Sequence, residues 1–458
     1  MINKFNIKSL AYIIFYVISA ILIYGSNLST KEAHVLLITI ITASLWITEK
    51  LPIPVSSLIP LAAFPLLGVL DSKQIAQSYG SPLILLLLGG FMLSSAMSAT
   101  NSHKLIANKI IKTIGTNSQS KILLSFMITA AFLSMWISNT ATTLMLLPIA
   151  LAILEKNASK RFSITLLLGI AYAASIGGIA TPIGTPPNLI LIQSIKEAGL
   201  EDIGFMSWMK QVLPILLIML PVAFLYLKSQ LEHKPINYQL EDLTISKSQI
   251  KVLLVFLLTA ILWMTRVEPF GGWKSLFEMP YANDASVALL SVVLLFSLRD
   301  NSKKPIITWE AVNKIPWGIL LLFAGGITIA TAFRETGLSA SIANNLMFLN
   351  NFPTWLIVGF ICLFVTFLTE VTSNTATTAV LMPILLSTAT ALNVDPMLLM
   401  LPATISASFA FMMPVATAPN AIIFSSGHIP IKKMMRIGFL LNLMGAMILT
   451  LYFSLINQ

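Results

Sequence analysis

The chain has 458 residues, of which 56% are apolar and only 10% charged, and its mean hydropathy is +0.86. Soluble chains carry about 25% charged residues, so no stretch here has the charge density to coat a soluble domain, and the composition specifies an integral membrane protein. The single Cys362 allows no intrachain disulfide, and with four His it excludes thiolate chemistry, zinc fingers and iron–sulfur centres, while the net charge of +10 takes its meaning from where the basic residues sit.

A hydrocarbon core of about 30 Å needs roughly 20 apolar residues in a helix. The first candidate, 9–25, follows Lys4 and Lys8; no small-residue cleavage site succeeds it, so it reads as a retained helix and not a signal peptide. Segments 33–48, 54–70 and 81–99 come next, and the basic amphipathic stretch Lys104 to Lys112 reads as a cytoplasmic surface helix. Residues 122–154 are too long for one crossing and are interrupted by Ser138-Asn139-Thr140, which leaves arms of about 14–16 residues, roughly 21–24 Å. Lys121 precedes this stretch and Lys156, Lys160 and Arg161 follow it, so both ends face the cytoplasm and the segment is a re-entrant hairpin. Residues 163–195 break at Thr181 to Asn188, with Arg161 before them and Glu197, Glu201 and Asp202 after, so they cross once and unwind in the middle.

Segments 210–228, 250–265, 285–298 and 316–333 follow. Residues 353–392 form a second hairpin around Ser373-Asn374-Thr375; Asn350, Asn351 and Asp395 flank it with no Lys or Arg nearby, so it enters from the opposite side. Residues 397–427 are split at Pro414 to Asn420, and 435–455 is the last crossing. The expected fold is an all-α polytopic membrane protein with eleven transmembrane helices, two re-entrant hairpins, a cytoplasmic N-terminus and an extracytoplasmic C-terminus. That topology leaves only Lys31, Lys73, Lys196, Lys210, Arg266, Lys274 and Arg334 outside among the 28 basic residues. This is the positive-inside bias. It explains the basic excess by orientation and removes the case for nucleic acid as a partner. Glu370 is the one acid left at membrane depth.

Ser138-Asn139-Thr140-Ala141-Thr142-Thr143 recurs identically as Ser373-Asn374-Thr375-Ala376-Thr377-Thr378, and each copy reaches a proline five residues later, Pro148 and Pro383. Gly89-Gly90 recurs as Gly325-Gly326, and Gly184-Thr185-Pro186-Pro187-Asn188 as Ala416-Thr417-Ala418-Pro419-Asn420. The order and near-constant offset define two halves. Residues 1–32 are an N-terminal cytoplasmic segment and first helix. Residues 33–230 are the first repeat, with hairpin 122–154 and broken helix 163–195. Residues 231–247 are a cytoplasmic linker, and 248–458 are the second repeat, with hairpin 353–392 and broken helix 397–427. An odd number of crossings per half turns the second half upside down, the inverted-topology repeat of many secondary transporters, whose interrupted helices mark the substrate site.

Backbone that leaves a helix at membrane depth persists only where protein or a water-filled cavity satisfies it. Half-helix N-termini offer N–H groups and partial positive charge to an anion, whereas unwound carbonyls offer oxygen to cations. None of the four loops holds Lys or Arg. A bound anion would depend on hydroxyl and amide donors, helix dipoles and co-bound cations, which predicts coupling. A lone Ser-Asn-Thr is more often a helix back-bond or packing contact; its duplication beside broken helices reverses that preference. The double-Gly pairs read as close helix packing. Glu370 reads equally as a proton or cation site or as a hydrogen-bonded brace, and without a partner it makes a poor catalyst, so the chain is not read as an enzyme.

The paired Ser-Asn-Thr motifs and the two Pro-Asn loops resemble those of the divalent anion/sodium symporter family of dicarboxylate, citrate and sulfate carriers, over essentially the whole chain. The resemblance implies a homodimer whose transport domain moves as an elevator against a static scaffold. It implies one sodium ion at Ser134, Ser138, Asn139 and the Gly184 carbonyl, and another at Thr369, Asn374 and the Ala416 carbonyl. The dianion would meet Ser138, Asn139, Thr140, Ser373, Asn374, Thr375 and Thr417. Ala418 departs from the Thr-Pro-Pro-Asn pattern of the first loop and alters the pocket wall. The expected function is sodium-coupled symport of C4-dicarboxylates such as succinate, malate or fumarate across the inner, cytoplasmic membrane. The competing readings are a sodium-independent dicarboxylate exchanger and a carrier of citrate or sulfate on the same fold.

Overall fold

The computed structural model describes residues 7–155, 159–200, 203–232, 244–269, 271–300, 303–313 and 315–456. Lys4, Lys156, Glu201 and Asp202, used above to orient the chain, lie outside these residues, as do Lys234, Lys314 and most of the linker 231–247. The first half contains α1 (Ile7–Tyr24), α2 (Thr30–Thr48), α3 (Ile53–Ser56), α4 (Leu58–Leu66), α5 (Ser72–Tyr79), α6 (Pro82–Ala99), α7 (Ser102–Ile114), α8 (Gln119–Ser134), α9 (Asn139–Glu155), α10 (Lys160–Gly178), α11 (Pro186–Glu197) and α12 (Phe205–Lys228). The second contains α13 (Lys247–Met264), α14 (Gly272–Leu276), α15 (Asp284–Ser297), α16 (Trp309–Val312), α17 (Trp317–Thr336), α18 (Leu338–Leu346), a 3₁₀ turn (Met347–Asn351), α19 (Thr354–Leu368), α20 (Asn374–Leu392), α21 (Met397–Ser408), α22 (Ala418–Ser425) and α23 (Ile431–Ile456). The fold is all-helical, as expected. Among the described residues the only β pairing is an isolated bridge between Arg299 and Pro305.

By length and apolar composition, eight of the described helices can cross a membrane, or nine if the pair Leu338–Asn351 and Thr354–Leu368, bent by 115°, is one span. The expected count of eleven also includes segments that the chain divides. Residues 54–70 become α3 and α4, which meet at Ser57, and 285–298 becomes the 14-residue α15. The broken helices divide as α10 with α11 and α21 with α22. The arms α8, α9 and α19, at 16, 17 and 15 residues, are short for a crossing, whereas α20 has 19.

α7 is amphipathic: His103, Ala107 and Ile111, four residues apart, are buried on one stripe, while Lys104, Lys109 and Lys112 lie off it. Burial holds the His103 imidazole below its ordinary pKa. The core runs through α10, every residue of which from Phe162 to Gly178 is buried. α10 packs against α8, α9, α12 and α22; α21 packs against α19, α20, α23 and α11. Each second half-helix therefore crosses into the other half, α11 lying against α20 and α21 and α22 against α9 and α10. The double glycines make the same exchange. A Cβ at Gly89 would stand 2.6 Å from Ala288 Cβ on α15, and one at Gly325 would stand 2.7 Å from the carbonyl oxygen of Ser57. Both helices lie too close to these neighbours for a side chain.

Candidate functional site

α8 ends at Ser134, and after a four-residue tip α9 begins at Asn139 with Ser138 as its cap, the Ser138 hydroxyl accepting from the Ala141 N–H at 3.2 Å. The fully buried Ser134 hydroxyl donates to Asn139 Oδ1. At the second tip the fully buried Thr369 hydroxyl meets Asn374 Oδ1 at 2.6 Å and also the Ala407 carbonyl at 2.9 Å. The same five-residue reach at both tips fixes each Asn side chain from behind, so that its amide orientation is set before any ligand arrives.

The broken helices repeat a pattern of their own. Asn188 Nδ2 donates to the carbonyls of Gly178 (3.0 Å), Ile179 (3.3 Å) and Thr181 (2.8 Å), and Asn420 Nδ2 to those of Ala410 (3.0 Å) and Met413 (3.1 Å). Gly178 ends α10 and Ile179 caps it, whereas Thr181, Ala410 and Met413 lie in the unwound stretches that follow α10 and α21. The caps of the second half-helices differ. Thr417 accepts from the Asn420 N–H at 3.2 Å through its hydroxyl, whereas the equivalent Thr185 makes no side-chain cap.

All four interruptions converge on one cavity of about 730 Å³. Its wall includes Ser138, Asn139 and Thr140 from the first tip, Ser373, Asn374 and Thr375 from the second, and Gly184 and Thr185 with Ala416, Thr417 and Ala418 from the unwound stretches. Ser134 and Thr369 are not on the wall; they lie behind Asn139 and Asn374. Glu49 is the one charged residue among the described residues of the lining, and no Lys or Arg is among them. The chemistry offered is therefore hydroxyl, amide and backbone. The residues present fit oxygen-seeking monovalent cations, because carbonyl, hydroxyl and side-chain amide oxygens gather on both sides of the cavity.

Sequence reasoning assigned no role to Thr185, Asn188, Asn420, Thr372 or Glu49. The repeat carries a signal for three of them: Thr185 matches Thr417, and Asn188 matches Asn420. Thr372, whose hydroxyl meets that of Thr377 at 2.6 Å, and Glu49, which ends α2 in a left-handed conformation (φ 48°), carry no repeat signal.

Glu370 is 3% exposed and accepts three N–H bonds: from Met412 (2.9 Å) and Asn442 Nδ2 (2.7 Å) on Oε1, and from Met413 (2.8 Å) on Oε2. Asn442 Oδ1 in turn accepts from the Phe411 N–H at 3.2 Å, and the Tyr172 hydroxyl donates to the Phe411 carbonyl at 2.7 Å. Of the two readings, this geometry is that of a brace tying the second hairpin to the unwound stretch after α21. The first half does the same work with neutral groups: Thr181 donates to the carbonyl of Met135, the repeat partner of Glu370, and Trp208 Nε1 donates to the Ile179 carbonyl at 2.9 Å. Glu370→Gln would turn an amide NH₂ toward this cluster of donors, at about 1–3 kcal/mol for each donor left unpaired. The expected result is a lower melting temperature in detergent. An unchanged melting temperature would return Glu370 to the reading of a proton or cation site.

A family profile described as "Citrate transporter" matches residues 43–401. The chain is 40% identical to the sodium-dependent dicarboxylate transporter SdcS of Staphylococcus saprophyticus over 461 residues, covering 95% of this chain and 88% of that protein. It is 39% identical to the protein of the same name from Staphylococcus aureus, with the same coverage. Among solved structures, the Alcanivorax borkumensis YdaH transporter superposes with a TM-score of 0.61 at 13% identity, over 84% of this chain and 90% of that one. Neisseria gonorrhoeae MtrF superposes with a TM-score of 0.54 at 14% identity, over 83% of this chain and 82% of that one. At these identities the two structures speak to the fold alone.

Proposed function

The chain belongs to the citrate transporter family, of the divalent anion/sodium symporter type, and from that premise we propose that it imports C4-dicarboxylates such as succinate, malate or fumarate together with sodium ions. It is a carrier and not an enzyme. The observation that carries the substrate reading is the cavity itself, where two hairpin tips and two unwound stretches present hydroxyl, amide and backbone groups with no basic side chain among the described residues of the lining. The names of the relatives, sodium-dependent dicarboxylate transporters, support it.

In this reading the dianion meets Ser138, Asn139, Thr140, Ser373, Asn374, Thr375 and Thr417. One sodium ion is held by Ser134, Ser138, Asn139 and the Gly184 carbonyl, the other by Thr369, Asn374 and the Ala416 carbonyl. The hydrogen bonds from Ser134 to Asn139 and from Thr369 to Asn374 support these pairings. The exchange of α11 and α22 between halves supports an inverted repeat. A homodimer with an elevator-type transport domain in the cytoplasmic membrane, N-terminus inside, completes the proposal. Glu49 and Pro316, on the cavity wall, belong to helix ends that the charge sorting assigns to the cytoplasm, which favours an inward-facing state. Citrate is the second reading, favoured by the family description. Radiolabelled succinate uptake into proteoliposomes with and without a sodium gradient tests the assignment.

Ala418 bears on specificity. Pro186 and Ala418 both line the cavity at the first position of a half-helix, where an N–H has no intrahelical partner, but only Ala418 has an N–H to offer. Thr417 is extended (φ −140°, ψ 152°), a backbone that accepts a following proline, and proline suits a first helical turn. Ala418→Pro is therefore expected to fold. It removes one charge-assisted donor, worth about 1.5–3 kcal/mol, so the KM for succinate at saturating sodium should rise about tenfold or more. An unchanged KM would remove the Ala418 N–H from the anion site.

A further inference from the structure

Asn188 and Asn420 share more than a motif position. Each is fully buried in the first turn of a second half-helix. Each sends its side-chain NH₂ back to carbonyls ten and seven residues earlier, Gly178 and Thr181 in one case and Ala410 and Met413 in the other. Each so closes a loop of unwound backbone into a ring. Inside each ring, four residues before the asparagine, stands the residue whose carbonyl the reading above assigns to a cation, Gly184 and Ala416. The two hydrogens of each NH₂ are spent on these carbonyls, while Oδ1 of both Asn188 and Asn420 is buried without a hydrogen-bond partner. An interior acceptor left unpaired is costly. Its recurrence in both copies shows that the side chain is oriented by what the NH₂ holds.

Repulsion between carbonyl dipoles would splay an unwound stretch at membrane depth if nothing donated to it. Lining up several carbonyls on one donor sets the path of the intervening residues, and so the direction in which the Gly184 and Ala416 carbonyls face. We propose that Asn188 and Asn420 are positioning residues for the two cation positions, each holding one unwound stretch in the shape that presents its carbonyl oxygen together with the Asn139 or Asn374 side chain. The inference rests on the sodium-coupled reading and adds two residues that act on sodium affinity without touching the dianion.

The test uses the full-length protein in proteoliposomes. Two quantities are measured: the sodium concentration giving half-maximal succinate uptake, and the sodium concentration that raises the melting temperature in detergent without succinate. Asn188→Asp and Asn420→Asp keep the side-chain shape but set an acceptor against the carbonyls. Each should raise both sodium concentrations about ten- to a hundredfold, as loss of a group that orients a metal ligand does, while the succinate KM at saturating sodium moves by less than about threefold. Asn188→Ser and Asn420→Ser, which keep one shorter donor, should give smaller shifts in the same direction. A fall in maximal rate with unchanged sodium dependence would overturn the proposal, reducing both asparagines to braces of the fold. Loss of folded protein in all four variants would overturn it equally. The wild type is measured first: uptake indifferent to sodium there would remove the functional reading itself, an outcome distinct from sodium-dependent wild type with unshifted variants.

Discussion

Succinate uptake should collapse when external sodium is replaced by choline or potassium. The cavity wall carries hydroxyl, amide and backbone groups but, among its described residues, no Lys or Arg, and its one charged side chain, Glu49, is itself negative. A dianion that leaves water for such a site loses hydration which neutral donors only partly replace. Each co-bound sodium at roughly 5 Å contributes about 3 kcal/mol at an effective dielectric of about 20, or about two orders of magnitude in affinity. With two cation positions, dicarboxylate affinity should fall by at least about a hundredfold as sodium is withdrawn. By linkage, dicarboxylate should tighten sodium binding by the same factor. The check is initial-rate uptake of radiolabelled succinate across a sodium series, with equilibrium binding in detergent as the second measurement. Equal uptake in choline and sodium would select the exchanger.

Asn139→Ala and Asn374→Ala should each abolish uptake while leaving the protein folded, because both side chains line the cavity and both reach behind it to a buried hydroxyl. The two losses are not expected to be equal. Thr369 keeps a bond to the Ala407 carbonyl when Asn374 is removed. Among the described residues the Ser134 hydroxyl has no other hydrogen-bond partner, so Asn139→Ala strands a buried hydroxyl as well as emptying the tip, a further cost of about 1–3 kcal/mol. Asn139→Ala should therefore show the larger drop in melting temperature, and both variants should retain less than about one per cent of wild-type uptake if each contributes to a cation and to the anion at once. Near-normal uptake by either would move the site away from the hairpin tips.

Several features of the fold and site were legible in the linear order of residues. Polar triplets inside apolar segments located both hairpin tips, and prolines flanked by glycine, threonine and asparagine located both unwound stretches. Identical hexapeptides 235 residues apart paired them. These are local signals: backbone that stops being helical at membrane depth needs particular residues at that point, and the residues betray it. The number of crossings was less legible. Helix length, on which such counting depends, changes where the chain breaks at Ser57 and where α15 stops after 14 residues.

Tertiary structure alone decided which helix touches which. α10 and α13 are both apolar enough to span a membrane, yet 94% of the α10 window is buried and only 28% of the α13 window. Lipid and protein interior are alike apolar, so a helix that is hydrophobic all round does not announce which of the two surrounds it. The exchange of α11 and α22 between halves, the carboxylate of Glu370 closing on backbone some forty residues away, and the asparagines reaching back across each break all join segments whose only bond is proximity. A repeat in sequence states that two segments are equivalent. That four of them face one another around a single cavity goes with close packing such as that of Gly177 on α10, where an added Cβ would run into the Ala131 backbone of α8, and with hydrogen bonds that must be satisfied where water and lipid offer none.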